Sequence, residues 1–223
     1  MKGAWKGALA VTASLILPLV FYEGLSQGVM ILAYLVWGDA VTGYGLEVMT
    51  GAAALSSLVL GAVYWRQVKA GERKMQEGGS RRTLVQWLLL VPAASVSCVV
   101  LNVLVALMNL DSAAYDQVSG VLFQPPFAVQ VLATVLVIPL AEELVFRGFV
   151  FAGLRKRMPF WAAALASAVY FGIFHGNLPQ GIYACLVGLE LALCYEWYGG
   201  LGGAWLFHGL VNLTSVVMVQ LLN

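Results

Sequence analysis

Residues 126–154 read PFAVQVLATVLVIPLAEELVFRGFVFAGL. This stretch is mostly apolar and exceeds the roughly 20 residues that an α-helix needs to cross the hydrocarbon core of a membrane. It nevertheless contains Glu142, Glu143 and Arg147. Charged side chains inside a membrane are costly unless they are paired, and they commonly mark functional sites. The stretch therefore predicts a membrane-spanning helix and, within that helix, a site.

The rest of the chain has a similar composition. Of its 223 residues 61% are hydrophobic and only 10% are charged, whereas about a quarter of the residues of a soluble domain are charged. We expect an all-α, polytopic membrane bundle of about seven transmembrane helices, forming a single membrane domain over residues 1–223. The predicted spans are 10–37, 46–65, 83–109, 126–154, 160–178, 180–197 and 203–222.

The positions of Lys and Arg predict the orientation of these spans. If the N-terminus is cytoplasmic and the C-terminus is outside, eleven of the twelve basic residues fall in inner segments, as the positive-inside rule requires. These residues are Lys2, Lys6, Arg66, Lys69, Arg73, Lys74, Arg81, Arg82, Arg155, Lys156 and Arg157. The predicted outer loops contain Asp39, Asp111 and Asp116. The net charge of +1 gives no support for a nucleic-acid partner.

The twelfth basic residue, Arg147, lies within the fourth span. Glu143 precedes it by four residues, so the two side chains share one face of a helix in the favourable order of acid before base. Glu142 points about 100° away from that face. The pattern predicts one neutralised carboxylate and one that is free to face a cavity as a general acid or base. The alternative is a charge cluster that only stabilises the helix at a membrane boundary, which leaves Glu142 unexplained.

The two histidines of the chain lie in other apolar spans. Phe171 precedes His175 by one helical turn, and His208 precedes Asn212 by one turn, which places the second imidazole and the amide on one helix face. Each histidine alone is also consistent with a hydrogen-bonded packing residue. Polar groups in hydrocarbon need partners, however, and the polar side chains of the other spans can serve as those partners.

Three motifs in this order resemble those of the CPBP (CAAX protease and bacteriocin-processing) family, also called Abi, which includes the eukaryotic CAAX prenyl endopeptidase. They are Glu142-Glu143-x-x-x-Arg147, Phe171-x-x-x-His175 and His208-x-x-x-Asn212. The resemblance covers a motif-bearing core of about residues 125–217. The first 120 residues resemble the family only as apolar spans.

The resemblance implies an intramembrane endopeptidase that acts on a membrane-associated protein or peptide in the lipid bilayer, here in a bacterial plasma membrane. It implies that Glu142 and His175 activate a water molecule, that His208 and Asn212 stabilise the oxyanion, and that Glu143 and Arg147 form a supporting pair. The family is often labelled a metalloprotease, and zinc held by Glu142, His175 and His208 is the alternative. The H-E-x-x-H zinc signature is absent, so a metal-free mechanism is favoured.

Counting along the predicted spans places His175 toward the outer end of its helix and His208 near the inner end of its own. We nevertheless expect Glu142, His175, His208 and Asn212 to converge on one cavity, because each isolated polar group costs several kcal/mol in an apolar environment. We expect His208 within about 12 Å of Glu142, and about 3–6 Å between Glu142 and His175, with one water molecule between them.

Two other functions are compatible with the sequence. A catalytically silent scaffold or regulator of the same fold would bind other membrane proteins, although it would not need both Glu142 and His175. A small transporter would use the intramembrane charges as an ion site. The absence of a repeat between the two halves of the sequence weakens that reading.

Overall fold

The computed structural model describes residues 2–67, 82–110 and 112–222, without the side chains of residues 2–11, 14 and 67. Every regular element in these ranges is a helix, which confirms the predicted all-α, polytopic bundle. The predicted inner residues Lys69, Arg73, Lys74 and Arg81, and the predicted outer residue Asp111, lie outside the described residues.

Eight helices follow one another in the described chain. They are α1 (Lys2–Trp37), α2 (Gly45–Gln67), α3 (Leu84–Leu107), α4 (Ala113–Phe123), α5 (Phe127–Arg155), α6 (Phe160–Phe174), α7 (Leu178–Tyr198) and α8 (Leu201–Leu222). Each of the seven predicted spans corresponds to one of them. The eighth helix, α4, corresponds to no predicted span, because the residues after the third span are polar and indicated a loop.

Five stretches of the described chain are long and apolar enough to cross a membrane: Leu15–Arg66, α3, α5, α7 and α8. The first contains both α1 and α2, which pack against each other after the turn at Gly38–Tyr44. The helix α6 is shorter, with 15 residues, or about 22 Å at 1.5 Å per residue. It therefore falls short of the roughly 30 Å hydrocarbon core.

The predicted fifth span, 160–178, is too long at its carboxyl end. In the structure α6 ends at Phe174, and Gly176 adopts a φ of +71°, in the left-handed region that favours glycine. Asn177 then caps α7 by accepting a hydrogen bond from the Gln180 backbone N–H. The chain reverses here because the positive φ ends one helix and the cap begins the next.

The hairpin of α6 and α7 is held close by glycines. A Cβ atom added at Gly172 would lie 2.5 Å from the carbonyl oxygen of Gly181, so only glycine allows the two backbones this approach. Small residues at helix interfaces are the usual means of close packing in membranes.

The helix α5 lies at the centre of the bundle and packs against α1, α2, α6, α7 and α8. At one end of the bundle, Arg82 donates a hydrogen bond to the Trp197 carbonyl at 2.8 Å, and Arg155 pairs with Glu196 at 2.9 Å. Both contacts are made at the carboxyl end of α7. The segments before α3 and after α5 therefore lie on the same side, as the predicted topology requires of two inner segments.

Candidate active site

The two adjacent glutamates lie in a short α-helical segment of α5 between two wider, π-helical segments. The α-helical segment is Ile138–Glu143, and the π-helical segments are Val131–Val137 and Leu144–Phe151. A π-helical turn shifts the backbone hydrogen bonds from the fourth to the fifth residue, and such turns occur frequently at functional sites. The backbone of α5 is therefore irregular on both sides of the motif.

Glu143 and Arg147 form the ion pair that their spacing predicts. Arg147 Nη1 lies 3.0 Å from Glu143 Oε1, and both side chains are fully buried. The guanidinium also donates to the Gly188 carbonyl at 3.2 Å and lies 4.5 Å from the centre of the Phe171 ring. Arg147 is thus held by a carboxylate, a carbonyl and an aromatic face, each of which offsets part of the cost of removing its charge from water.

His208 connects the two glutamates, an arrangement that the sequence did not predict. Its Nδ1 atom lies 2.9 Å from Glu143 Oε1, and its Nε2 atom lies 3.7 Å from Glu142 Oε2. Because the Glu143 carboxylate only accepts hydrogen bonds, Nδ1 of His208 carries the proton. The free Nε2 atom therefore faces Glu142.

His175 caps the carboxyl end of α6, and its Nδ1 atom is 2.9 Å from the Phe171 carbonyl oxygen. The edge of the His175 ring meets the Phe171 ring, with the centroids 4.7 Å apart. The same Phe171 ring contacts His208 at a centroid distance of 5.9 Å. The two histidines therefore lie in one neighbourhood. The difference in depth counted along the predicted spans does not keep them apart, because the Phe171 ring contacts both imidazoles.

Asn212 lies one turn beyond His208 on α8 and donates a hydrogen bond to the Thr134 carbonyl at 2.7 Å. Thr134 belongs to the first π-helical segment of α5, where the altered hydrogen-bond register leaves carbonyl groups open to other donors. One N–H and the oxygen of the Asn212 amide remain for other partners.

Close packing of α8 on this segment explains why Asn212 can reach it. A Cβ atom added at Gly209 would lie 2.6 Å from the Val135 carbonyl oxygen. Gly188 has a comparable role on α7, where a Cβ atom would lie 3.3 Å from Arg147 Nη2. The sequence did not indicate Thr134, Gly188 and Gly209. Their contacts involve backbone atoms, which no side-chain motif reveals.

Four of the predicted site residues lie as the sequence led us to expect. His208 lies near Glu142, well inside the expected limit, and Arg147 contacts Glu143. His175 joins them through Phe171, and Asn212 follows His208 on the same helix. The water-bridged approach of Glu142 to His175 stays a prediction.

The alternative prediction was a zinc ion held by Glu142, His175 and His208. Structural and catalytic zinc sites use at least three protein ligands at about 2.0–2.3 Å. In the described ranges, no group of three or more His, Cys, Asp or Glu side chains could hold a metal ion. The trio Glu142, His175 and His208 therefore does not fit zinc in this arrangement.

Comparison with known proteins covers the region that carries these residues. Residues 124–214 match the protein-family model described as "Type II CAAX prenyl endopeptidase Rce1-like". A Bacillus subtilis protein named "Putative membrane peptidase YdiL" is 31% identical over 91 residues, which are 41% of this chain and 37% of that protein.

A Mycoplasma capricolum protein named "Uncharacterized protein" is 31% identical over 93 residues, which are 40% of this chain and 27% of that protein. The chain thus spans between 27% and 37% of the length of these curated relatives. No solved structure matches the chain significantly. The resemblance to CAAX prenyl endopeptidases that the three motifs indicate is confirmed for residues 124–214, the part of the chain that contains all of them.

Proposed function

We propose that this protein is an intramembrane endopeptidase that hydrolyses a peptide bond of a membrane-associated protein or peptide. One observation carries the proposal: the Glu142 carboxylate faces Nε2 of His208, 3.7 Å away, in an almost fully buried site. The family match of the same region supports a peptidase. The Glu142 carboxylate has no structural partner as strong as that of Glu143, so it is available for chemistry.

In this mechanism Glu142 acts as the general base. It takes a proton from a water molecule whose oxygen attacks the carbonyl carbon of the scissile bond, with His175 helping to hold that water. The tetrahedral intermediate then collapses, the carbon–nitrogen bond breaks, and Glu142 returns the proton to the leaving nitrogen. General acid–base catalysis of this kind contributes about 10²–10⁴ in rate.

The oxyanion is stabilised by donors on α8. The second N–H of the Asn212 amide is one donor. His208 is the other when its ring is protonated, because Nδ1–H is already directed at Glu143 and only the imidazolium offers a hydrogen on Nε2. The Glu143 carboxylate stabilises that cation. Each oxyanion donor is typically worth about 10²–10³ in rate.

The Glu143–Arg147 pair has a positioning role in this scheme. Glu143 accepts hydrogen bonds from Arg147 and His208 through the same oxygen, Oε1. Arg147 therefore fixes Glu143, and Glu143 fixes the His208 ring. This chain of contacts links the charged face of α5 to the donor face of α8.

We place the protein in a bacterial plasma membrane, with its N-terminus in the cytoplasm. The charge distribution supports this orientation, as does the position of Arg82 and Arg155 at one end of the bundle. Reporter fusions should report residues near Arg82 on the cytoplasmic side and residues near Asp39 outside. The opposite assignment would reverse the orientation without affecting the proposed chemistry.

The peptidase proposal is tested by comparing membrane proteomes of cells that carry the wild-type protein or Glu142→Gln. Fragments that depend on the enzyme should vanish in the variant, while the amount of folded, inserted protein stays unchanged. The matched control is Glu190→Gln on α7, another carboxylate within an apolar helix, which is hydrogen-bonded to Ser97. Identical fragments in wild type and Glu142→Gln would leave a catalytically silent scaffold or regulator as the better explanation.

A further inference from the structure

The turn that follows His175 contains one amide side chain that contacts both helices of the α6–α7 hairpin. Asn177 Oδ1 accepts a hydrogen bond from the Gln180 backbone N–H at 3.0 Å, and Asn177 Nδ2 donates to the His175 carbonyl at 3.2 Å. Because a backbone N–H only donates and a carbonyl only accepts, these two partners fix which end of the amide carries the hydrogens. Asn177 therefore caps α7 with its oxygen and contacts the end of α6 with its nitrogen.

The His175 carbonyl needs a donor from outside its own helix. His175 caps the carboxyl end of α6, where the last carbonyl groups have no partner within the helix. The next residue, Gly176, turns the chain with its φ of +71°, so no further helical turn supplies an N–H. Asn177 supplies one and closes a short loop over residues 175–177. This loop fixes the backbone from which the His175 side chain projects.

The imidazole of His175 is held at a second point. Its Nδ1 atom lies 2.9 Å from the Phe171 carbonyl oxygen, which only accepts, so Nδ1 carries the proton and Nε2 is an acceptor. An acceptor at Nε2 is what a histidine needs to hold a water molecule by one of its hydrogens. The contact at Nδ1 requires one direction of the ring, and that direction depends on the backbone at His175. The hydrogen bond from Asn177 therefore affects which nitrogen of His175 faces a water molecule.

We infer that Asn177 is a positioning residue of the catalytic site, whose Nδ2–H holds the His175 backbone so that Nε2 of the imidazole faces the water that Glu142 activates. The inference rests on the proposed function. It assigns different roles to two atoms of one side chain, since Oδ1 caps α7 and Nδ2 orients His175. The two roles can be separated by substitution.

The variant that separates them is Asn177→Asp. Aspartate keeps the shape of the side chain and the oxygen that caps α7, and it is as good an N-cap as asparagine. It replaces the Nδ2–H donor with a second acceptor, which the His175 carbonyl repels. If Asn177→Asp does not fold, Asn177→Ser takes its place, because serine is also a good N-cap and lacks the amide nitrogen.

The matched control is Gln180→Glu, the same change of an amide to a carboxylate one helical turn away. The Gln180 side-chain oxygen accepts a hydrogen bond from Asn177 Nδ2 at 2.9 Å, and a glutamate oxygen can accept it equally well. The control therefore adds the same negative charge beside the turn and keeps the donor to His175. Both variants retain the cap of α7, so the midpoint of thermal unfolding should stay close to that of the wild type.

The first test needs no substrate. The chain contains only two histidines, so nuclear magnetic resonance of protein with isotopically labelled histidine shows two imidazoles, which His175→Gln assigns. Above the pH range in which histidine titrates, both wild-type rings should carry the proton on Nδ1. Asn177→Asp should convert His175 into a mixture of the two tautomers. His208 donates to Glu143 on another helix and should stay unchanged, and Gln180→Glu should leave both rings unchanged.

Three outcomes of this measurement overturn the inference. The first is a His175 ring that keeps the proton on Nδ1 alone in Asn177→Asp. The second is an equal change of His175 in Gln180→Glu, which would be an effect of the added charge. The third is a change of His208 as large as that of His175, which would indicate a general loosening of the bundle.

The second test measures turnover of a peptide that spans the cleavage site revealed by the proteome comparison. Asn177→Asp should lower kcat about tenfold with KM nearly unchanged, because His175 holds the water and not the peptide. Gln180→Glu should change neither. Wild-type kcat in Asn177→Asp would refute the inference alone and leave Asn177 as a helix cap. Wild-type protein that cleaves nothing would refute the proposed function, and the resonance measurement would still decide whether Asn177 orients the His175 ring.

Discussion

The helices α3 and α5 are both long, apolar segments, yet they differ in what surrounds them. In the most apolar 18-residue window of α5, 67% of the residues are buried inside the protein. In the corresponding window of α3, 17% are buried. The buried helix contains Glu142, Glu143 and Arg147, and α3 contains no charged residue. Charges are therefore found where protein surrounds the helix, since only protein supplies the partners that hydrocarbon cannot.

The polar side chains of α3 follow the same rule on a smaller scale. Ser97 donates a hydrogen bond to Glu190 of α7 at 2.5 Å, and Ser95 lies 3.2 Å from Thr214 of α8. These contacts join helices without entering the site around Glu142. The contrast between a central charged helix and a peripheral polar one leads to four predictions, in order of decreasing effect.

The largest effect is expected when the central ion pair is broken. Arg147→Ala leaves the Glu143 carboxylate fully buried without its counter-charge, and breaking a buried pair costs about 3–5 kcal/mol. The folded fraction in detergent and the midpoint of thermal unfolding should both fall sharply.

The control for this variant is Arg155→Ala. Arg155 pairs with Glu196 at 2.9 Å, but the two side chains are 37% and 29% exposed. Such pairs contribute about 0–1 kcal/mol, so stability should change little. Comparable losses in both variants would mean that burial does not distinguish the two ion pairs.

A smaller effect is expected from Gly209→Ala on α8. The added Cβ would lie 2.6 Å from the Val135 carbonyl oxygen, so α8 must move away from α5 and take His208 and Asn212 with it. Overpacking of this kind costs about 1–3 kcal/mol, and a 1 Å displacement at a catalytic site can lower turnover about 100-fold. Gly202→Ala is the control, because nothing lies within 4 Å of a Cβ there. Unchanged turnover in Gly209→Ala would contradict the proposed positioning of the oxyanion donors.

A still smaller effect is expected at the periphery. Ser97→Ala removes the hydrogen bond to Glu190, and interhelical hydrogen bonds in membranes are worth about 0.6 kcal/mol on average. The thermal midpoint should fall slightly and turnover should stay at the wild-type level. Loss of turnover with unchanged stability would instead make Glu190 part of the site.

No effect is expected from metal chelation. Purified protein treated with a strong chelator and dialysed should keep its turnover, because the described residues around Glu142 do not form a zinc site. Loss of activity that zinc restores would show that the side chains rearrange to bind the ion, and the proposed mechanism would then need a metal.

The helical segments were predictable because hydrophobic length alone identifies them in a membrane. The proximity of Glu142 and His208 was predictable, because a polar group in an apolar environment is costly unless it has a partner. The bond between His208 and Glu143 was not, because the i,i+4 spacing of Glu143 and Arg147 pointed to that pair alone. His208 is on another helix, 65 residues away in sequence, and the spacing of residues along one helix cannot reveal such a partner.

Other features were hidden for a different reason. The π-helical segments of α5 lie in a mostly apolar stretch, and its residues show no pattern that distinguishes a π-helical turn from an α-helical one. The helix α4 was missed because its polar residues, such as Asp116 and Gln117, resemble those of a loop.

The hydrogen bond from Asn212 to the Thr134 carbonyl has a consequence for the evolution of this site. The acceptor is a backbone atom, so the identity of the side chain at position 134 can drift while the amide stays in place. Another α8 side chain, Trp205, uses the Leu136 carbonyl in the same way at 2.9 Å. The position of Asn212 therefore depends on the path of the α5 backbone, and not on which side chain occupies position 134.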